Sequence, residues 1–438
     1  MTWLQRHRVR HYTRNSIVVL PVLGIVAALV TVWLLHAFEK EMGWESSMAP
    51  DAVRLVIGTL AAAMLTFIVF LSSALLLAVQ LASGQLTPRI IAFVFRDPVT
   101  KFSLTIFVYT FTLSVAVLAR IESAAPPLTS RLAVWGCVAS LCVFFYLIDH
   151  VGKALRPSGV LKFIGAKGRE VIEGVYPRRL AEFPETPREI MDFRDKKSAL
   201  TINSFKGGVV LAFDMQGLGA LAMRANCLIE MVPQVGDFVA ADSPIFRVYQ
   251  DDNIVSAVPL CQCVALGQER TVEQDPALAF RIAVDIACKA LSPAINDPTT
   301  AVLALDQLHH LLAQVGNRHL DEGVIRDERG RARFAYRTPD WEDFVQLAVT
   351  EIRHYGGQSI QVVRRLRAML ENLIETLPEE RARPLRQELS VLQRTVERHF
   401  FEPEDRALAA ASDSQGVGGT SERSPKRSAA HPGSSQAA

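Results

Sequence analysis

The chain has 438 residues, enough for two or three domains with a buried core in each. Its formal net charge of +2 excludes the basic field that nucleic-acid binding requires, so we expect no nucleic-acid partner. Charged side chains are sparse in residues 1–152, which hold 18 of them, against 74 in residues 153–438. The first third of the chain is therefore expected to lie in a bilayer.

Four stretches of 17 to 34 residues without a charged side chain predict four transmembrane helices. An ionised side chain at the bilayer centre costs roughly 2.5 to 3.5 kcal/mol, and about 20 apolar residues span the hydrocarbon. The membrane domain is placed at residues 1–152, with spans at about 17–38, 55–82, 102–119 and 132–151. The first apolar run is longer than a typical signal-peptide core, so we expect it to remain in the protein.

The second stretch is too long for one straight span, and it ends in a turn signal. Residues 84–88 read Gly-Gln-Leu-Thr-Pro, in which Thr87 can cap a helix and Pro88 can occupy its first turn. The apolar residues that follow predict a short helix over residues 88–95 that lies in the membrane interface. A plain loop is the alternative.

Basic residues set the expected orientation. Twelve of the 16 that flank the spans lie on the side of the two chain termini, and such residues are retained in the cytoplasm. We therefore expect a multi-pass membrane protein, with the bilayer as a partner and with both termini in the cytoplasm.

The first part of the cytoplasmic region is predicted as a connecting helix and linker over residues 153–197, followed by a small all-β module over residues 198–264. Within the module, residues 235–248 resemble the half-motif of biotinyl/lipoyl-like barrel-sandwich domains. Residues 208–288 contain no lysine for a carrier hairpin, so we expect no covalent cofactor. The cysteines lack the spacing of a zinc site, so no metal is expected either.

The second part, residues 265–405, is predicted as a helical domain. Aspartate-proline pairs at Asp275 and Asp297 signal the starts of two helices, and three further helical stretches follow. Between them, residues 323–337 predict a β-hairpin. Residues 406–438 are rich in small and polar residues, which predicts a disordered tail.

Four segments together resemble a known family. They are Gln85-Leu86-Thr87-Pro88-Arg89, Gly267-Gln268-Glu269-Arg270-Thr271, Ala290-Leu291-Ser292-Pro293-Ala294-Ile295-Asn296-Asp297-Pro298 and Glu351-Ile352-Arg353-His354-Tyr355-Gly356. With them the chain resembles the bacterial domain-of-unknown-function family 2254 over about residues 10–400. The resemblance implies a predicted membrane protein of the bacterial inner membrane with four spans and a cytoplasmic remainder, and it implies no particular activity.

Two places carry the candidate functional residues. The corner of residues 292–298 presents the oxygen acceptors of Ser292, Asn296 and Asp297 beside a helix N-terminus. Charged residues nearby in sequence are candidates to surround it as a polar cleft, namely Glu269, Arg270, Asp275, Arg281 and Asp285. The alternatives are an ordinary cap-and-turn corner and solvated ion pairs. At the end of the fourth span, Asp149 and His150 are either interfacial anchors or a proton or ion site.

These observations leave two hypotheses for function. The first is a non-enzymatic homo-oligomeric channel, transporter or sensor with a cytoplasmic regulatory region. The sequence does not identify the ion or small molecule that it would bind or transport. The second is a membrane-anchored enzyme with a polar cleft around Asn296 and Asp297. The sequence has no Gly-rich phosphate loop, nucleophile elbow or zinc-hydrolase helix, which favours the first.

Overall fold

A computed structural model describes residues 2–43, 49–87, 97–121, 127–182, 200–249, 256–320 and 323–418. Its first five helices are α1 (Trp3–Asn15), α2 (Val19–Met42), α3 (Pro50–Gln85), α4 (Pro98–Leu118) and α5 (Pro127–Ala154). Helices α2 to α5 are the ones in the described residues that are long and apolar enough to cross a bilayer. They coincide with the four predicted spans, which confirms the membrane prediction.

Helix α3 is longer than a bilayer requires. Its 36 residues extend about 54 Å at 1.5 Å per residue, against a hydrocarbon thickness of roughly 30 Å. The span predicted to end near residue 82 continues unbroken to Gln85, where the turn signal ends the helix. Leu86 then packs into the core of the soluble region. The interfacial helix predicted over residues 88–95 lies outside the described residues.

Helix α4 is the centre of the membrane bundle and packs against α2, α3 and α5. Polar side chains help to join the spans, because the hydroxyl of Ser140 donates to Thr110 at 3.1 Å and that of Tyr109 donates to Thr31 at 3.2 Å. Gly136 lies against Thr110 so closely that a Cβ there would come within 3.2 Å of its methyl group. Small residues and interhelical hydrogen bonds are the usual means of packing helices in a bilayer.

The soluble region begins with α6 (Pro157–Val175) and continues with α9 (Pro276–Ala290), α10 (Pro298–Gly316), α11 (Trp341–Gly356), α12 (Ile360–Thr376), α13 (Glu379–His399) and α14 (Pro403–Ala409). Helices α7 (Met215–Arg224) and α8 (Ala257–Cys261) belong to the β module. One hydrophobic core joins α6 to α9, α10, α11 and α12. Gly168 allows α6 to approach closely, since a Cβ there would lie 2.8 Å from side-chain atoms of Ala279 and Leu311.

The β module contains two small sheets and two helices. Its elements are β1 (Leu200–Asn203), β2 (Gly208–Phe213), α7 (Met215–Arg224), β3 (Leu228–Met231), β4 (Phe238–Val239), β5 (Pro244–Tyr249), α8 (Ala257–Cys261), β6 (Val264–Gly267), β7 (Val324–Arg326) and β8 (Ala332–Ala335). One sheet has the order β1-β5-β3-β8-β7 and the other the order β4-β2-β6. Residues of both sheets share a core with Leu218 and Ala222 of α7.

This arrangement corrects two expectations. The module is mixed α/β and not all-β, because Asp214 accepts the N–H of Gly217 at 3.0 Å and so caps a ten-residue helix whose apolar face is buried. The hairpin predicted near residues 323–337 forms, but it joins the five-stranded sheet of the β module. The joint is a parallel pairing of β8 with β3, in which Ile229 faces Phe334.

Part of the predicted disordered tail is also structured. Residues 406–409 complete α14, and the segment that follows returns along α12. The buried carboxylate of Asp413 accepts the N–H of Gly418 at 2.7 Å, and Arg364 donates to the carbonyl oxygen of Gly418 at 3.0 Å. These bonds hold the chain up to residue 418, whereas composition alone predicted disorder from residue 406.

Candidate functional site

The corner between α9 and α10 is a tight cap-and-turn structure. Asp297 is the N-cap of α10, and its carboxylate accepts the N–H of Thr300 at 3.1 Å and the hydroxyl of Thr300 at 2.6 Å. Asn296 has a φ of +50°, the left-handed conformation that asparagine tolerates better than most residues. The hydroxyl of Ser292 donates to the carbonyl oxygen of Lys289 at 2.7 Å. The hydrogen bonds of Ser292 and Asp297 are therefore local.

The charged residues predicted around this corner do not form one cleft with it. Asp275 is the N-cap of α9, and the 15 residues of that helix separate it from the corner by about 22 Å. Arg270 lies with Asp275 at the far end, and Glu269 is exposed. Arg281 and Asp285 lie between the two ends.

Arg281 joins α9 to α11. Its guanidinium donates to Asp285 at 2.7 Å and forms a two-pronged ion pair with Glu351, whose second oxygen is 2.7 Å away. This contact lowers the pKa of the Glu351 carboxyl. Burial, together with the negative charge of Glu351, raises the pKa of the neighbouring Cys288 thiol to about 12. A thiol with that pKa is a poor nucleophile. The ion pair between Arg281 and Glu351 holds α9 and α11 together.

A cavity lined by acidic, basic and aromatic side chains lies where the β module meets the helices next to the membrane. We call it the junction cavity; it has a volume of about 580 Å³. Trp3 and His7 of α1 line one side, and Lys167 and Glu170 of α6 line another. The remaining wall comes from the end of β2, the residues after β8 and the start of α9. The cavity thus lies between two helices that are each attached directly to a membrane span.

Arg270 and Asp275, two of the predicted residues, meet at this cavity. The guanidinium of Arg270 donates twice to one oxygen of Asp275, at 2.7 and 2.9 Å, and the other oxygen accepts the N–H of Leu278 at 3.1 Å. Burial raises the pKa of the Asp275 carboxyl, although Arg270 and the helix N–H groups act in the opposite direction. Gly236, at φ +92°, lies against Arg270, and a side chain there would collide with the guanidinium. The pair is therefore held in position by the β module.

The aromatic side of the junction cavity was not predicted from the sequence. Trp3 stacks on His7 with ring centroids 5.1 Å apart, and Phe213 lies 5.2 Å from Tyr336. These residues come from three distant parts of the chain, so no local pattern marks them. One signal does exist for α1: Thr2 and Gln5 have the spacing of a capping box, and the structure forms both of its hydrogen bonds.

The two residues predicted at the end of the fourth span have different partners. His150 approaches Asp97 with 3.2 Å between Nε2 and Oδ2, and this contact joins α5 to the N-cap of α4. Asp149 pairs with Lys153 at 2.6 Å on an exposed face. A cavity of about 370 Å³ lies beside Asp97 and His150. Asp149 does not line this cavity, so the two predicted residues do not belong to one cavity site.

One further carboxylate was missed by sequence reasoning. Glu39, near the end of α2, is buried, and one of its oxygens accepts the N–H of Leu128 at 2.5 Å and of Thr129 at 3.0 Å. Its other oxygen accepts the hydroxyl of Thr129 at 2.7 Å. The first span thus caps the first turn of the fourth. The only sequence signal was an acidic residue at the edge of a charge-free run.

Comparisons with known proteins support the membrane architecture. A family model described as predicted membrane protein (DUF2254) matches residues 14–372. Uncharacterised proteins of Mycobacterium bovis and Mycobacterium tuberculosis are each 24% identical over 427 residues, which cover 92% of this chain and 80% of theirs. No solved structure matches the chain.

Proposed function

Because the chain belongs to the DUF2254 family of predicted membrane proteins, we propose that its soluble region binds a ligand and thereby regulates the four-helix membrane unit. In this proposal the protein is a non-enzymatic sensor, or a channel or transporter under ligand control. The observation that carries the proposal is the junction cavity, which is lined by both α1 and α6.

Three connections join the soluble region to the spans. Helix α1 packs against β6 and reaches α2 after only three residues. Helix α6 follows α5 after two residues and packs against α9 and α10. The third connection is α3, whose following residue Leu86 lies in the soluble core. A ligand in the junction cavity would contact the first two connections at once, so its binding energy would act on the ends of the first and fourth spans.

The enzyme alternative has weaker support. It needs a cleft around Asn296 and Asp297, whereas the carboxylate of Asp297 is already bonded to Thr300 and the surrounding charged residues are spread along α9. The corner does not line the junction cavity. The regulatory role therefore takes first place.

We propose the cytoplasm of a bacterium as the location of the soluble region, because 12 of the 16 flanking basic residues lie on that side.

We also propose a homo-oligomer. The apolar surface of the spans includes the exposed side chains of Phe70 on α3 and Trp135 on α5, which a second copy can partly cover.

Hydrogen exchange of the full chain in nanodiscs tests the coupling. Trp3→Ala combined with His7→Ala removes the stacked pair that α1 places at the cavity. We expect faster exchange at the membrane ends of α2 and α5, and not only in α1 and β6. The matched control is Val9→Ala, an exposed position on the same helix, which should leave α2 and α5 unchanged.

The coupling proposal fails if exchange rises only in α1 and its direct contacts. It also fails if the Val9 control has the same effect on the spans as the double variant. Neither outcome depends on knowing the ligand.

A further inference from the structure

A second cavity lies beside α1, and His7 lines both it and the junction cavity. We call it the anchor cavity; its volume of about 400 Å³ is within the usual range for small-molecule sites. Going beyond the function proposed above, we propose that the anchor cavity binds a small organic anion with an apolar body, such as a carboxylate or a phosphate monoester.

The charge of the lining selects an anion. Arg8 of α1 and Lys206 of the β1–β2 loop line the cavity together with the imidazole of His7, and the described lining residues include no carboxylate. Within the described chain, no acidic side chain forms an ion pair with Arg8 or Lys206. Lys206 donates one hydrogen bond to the carbonyl oxygen of Leu266 at 3.3 Å, which leaves ammonium protons available to a ligand. The junction cavity differs, because acidic and basic groups alternate around it.

The remainder of the lining selects an apolar body. Ile245, Val264, Ala265 and Leu211 form a buried hydrophobic part of the wall. Phe205 is 74% exposed, although it is a large apolar side chain beside the cavity. A free inorganic anion would use the basic groups and leave this apolar surface unoccupied. The combination therefore fits a ligand with a charged head and an apolar body.

Hydrogen bonds of Ser204 hold the backbone of the loop that carries Lys206. The hydroxyl of Ser204 donates to the carbonyl oxygen of Lys206 at 2.6 Å, and the N–H of Ser204 donates to Ser243 at 2.9 Å. A preformed basic group loses little entropy when an anion binds. Because Arg8 belongs to α1 and Lys206 to the β module, one anion between them ties the helix before the first span to the module.

Cys261 provides a local readout of occupancy, since it lines the anchor cavity and is partly exposed. The full chain in phosphatidylcholine nanodiscs is treated with N-ethylmaleimide above neutral pH, because burial raises the pKa of the Cys261 thiol. Peptide mass spectrometry then follows each cysteine separately. We expect phenyl phosphate or hexanoate to slow the labelling of Cys261 by about tenfold at saturation, whereas Cys288, outside the cavity, should not change.

Matched probes and variants decide the outcome. Benzylamine, which has an apolar ring and a positive charge, should not protect Cys261, and inorganic phosphate should protect it only at much higher concentration. Lys206→Gln and Arg8→Gln should each raise the phenyl phosphate concentration needed by about tenfold, the usual effect of losing a charge-assisted contact. Arg224→Gln, an exposed change in the same module, is the control and should have no effect.

Equal protection by benzylamine, or unchanged phenyl phosphate binding in both Lys206→Gln and Arg8→Gln, would overturn the anion assignment. Labelling that stays slow at the buried Cys227 of the β module and at Cys288 of α9 verifies that each variant is folded. If phenyl phosphate protects Cys261 but hydrogen exchange in α2 and α5 stays the same, the anion site stands and its occupancy does not act on the spans; the junction-cavity proposal is tested separately by the Trp3 and His7 variant.

Discussion

Replacing Asp297 separates a capping role from a chemical one. Asp297→Ala removes the acceptors for both the N–H and the hydroxyl of Thr300, a residue that is only 5% exposed. The loss of an N-cap costs about 0.5 to 2 kcal/mol, and a buried polar group without a partner costs about 1 to 3 kcal/mol. Because water reaches Thr300 poorly, we expect a loss near 2 kcal/mol. That corresponds to a Tm lower by about 4 to 8 °C in a region of this size.

Asp297→Asn retains an oxygen that can accept the N–H of Thr300, and the amide NH2 that replaces the second oxygen can donate to the Thr300 hydroxyl, so the cap is preserved. Only the attraction between the negative charge and the helix N-terminus is lost, which is worth about 0.3 to 1 kcal/mol. Thermal unfolding in nanodiscs measures both variants. Ser292→Ala is the control, because its hydroxyl bonds only to the exposed Lys289 carbonyl and its loss should change stability by about 0.5 kcal/mol or less.

Equal destabilisation by Asn and Ala would refute the capping argument, since the two differ in whether an acceptor remains. A different result would revive the enzyme hypothesis. If Asp297→Asn abolished function in cells while its Tm was unchanged, the ionisable oxygen itself would be required, as for an acid, a base or an ion ligand.

Three further predictions concern the membrane and the hairpin. Alkaline phosphatase should be inactive when fused after residue 165 and active when fused within residues 44–48, because the basic flanks place the first position in the cytoplasm. The opposite pattern of activity would contradict the predicted topology. Glu39→Ala removes the cap on α5 and should lower the free energy of unfolding in nanodiscs by about 0.5 to 2 kcal/mol. Glu39→Gln keeps an acceptor for Thr129 and should lower it less. Equal losses in the two variants would contradict the capping role. Burial raises the pKa of Asp327, but hydrogen bonds from Arg331 and other groups outweigh it and hold the pKa at about 2. Since this lies below the ordinary value, the stabilisation of the hairpin is present above about pH 4 and is lost as the pH falls toward 2. The protection factors of the hairpin amides, which correct for the slower intrinsic exchange in acid, should fall over that interval, and Asp327→Asn should remove this dependence on pH.

Local patterns in the sequence determined the elements. Charge-free runs located the four spans because a charge in hydrocarbon is costly wherever the chain places it. Asp275 and Asp297 were predicted as caps because capping involves only the next three residues. The helix over Met215–Arg224 was missed, since its glycines and its short length hide the helical period between two strands.

The candidate site depended on contacts that no local pattern encodes. The residues of the predicted polar cleft lie apart in the structure, because one helix of 15 residues holds Asp275 and Asp297 about 22 Å apart. Conversely, Leu4 and Cys261 line one cavity although more than 250 residues separate them in the chain. The pairing of Ile229 with Phe334 likewise brings the hairpin to a sheet whose other strands precede it by three helices, α8, α9 and α10.

The sequence by itself thus determined the membrane spans, the caps and most strands, because these depend on hydrophobic burial and hydrogen bonding within a few residues. Only the tertiary structure placed α1 against β6 and opened cavities on both sides of it. Those contacts depend on how the apolar faces of distant elements fit together, and many pairings of such faces satisfy the same sequence pattern. Packing therefore decides which groups face a ligand. Local sequence patterns do not predict which distant residues it brings together.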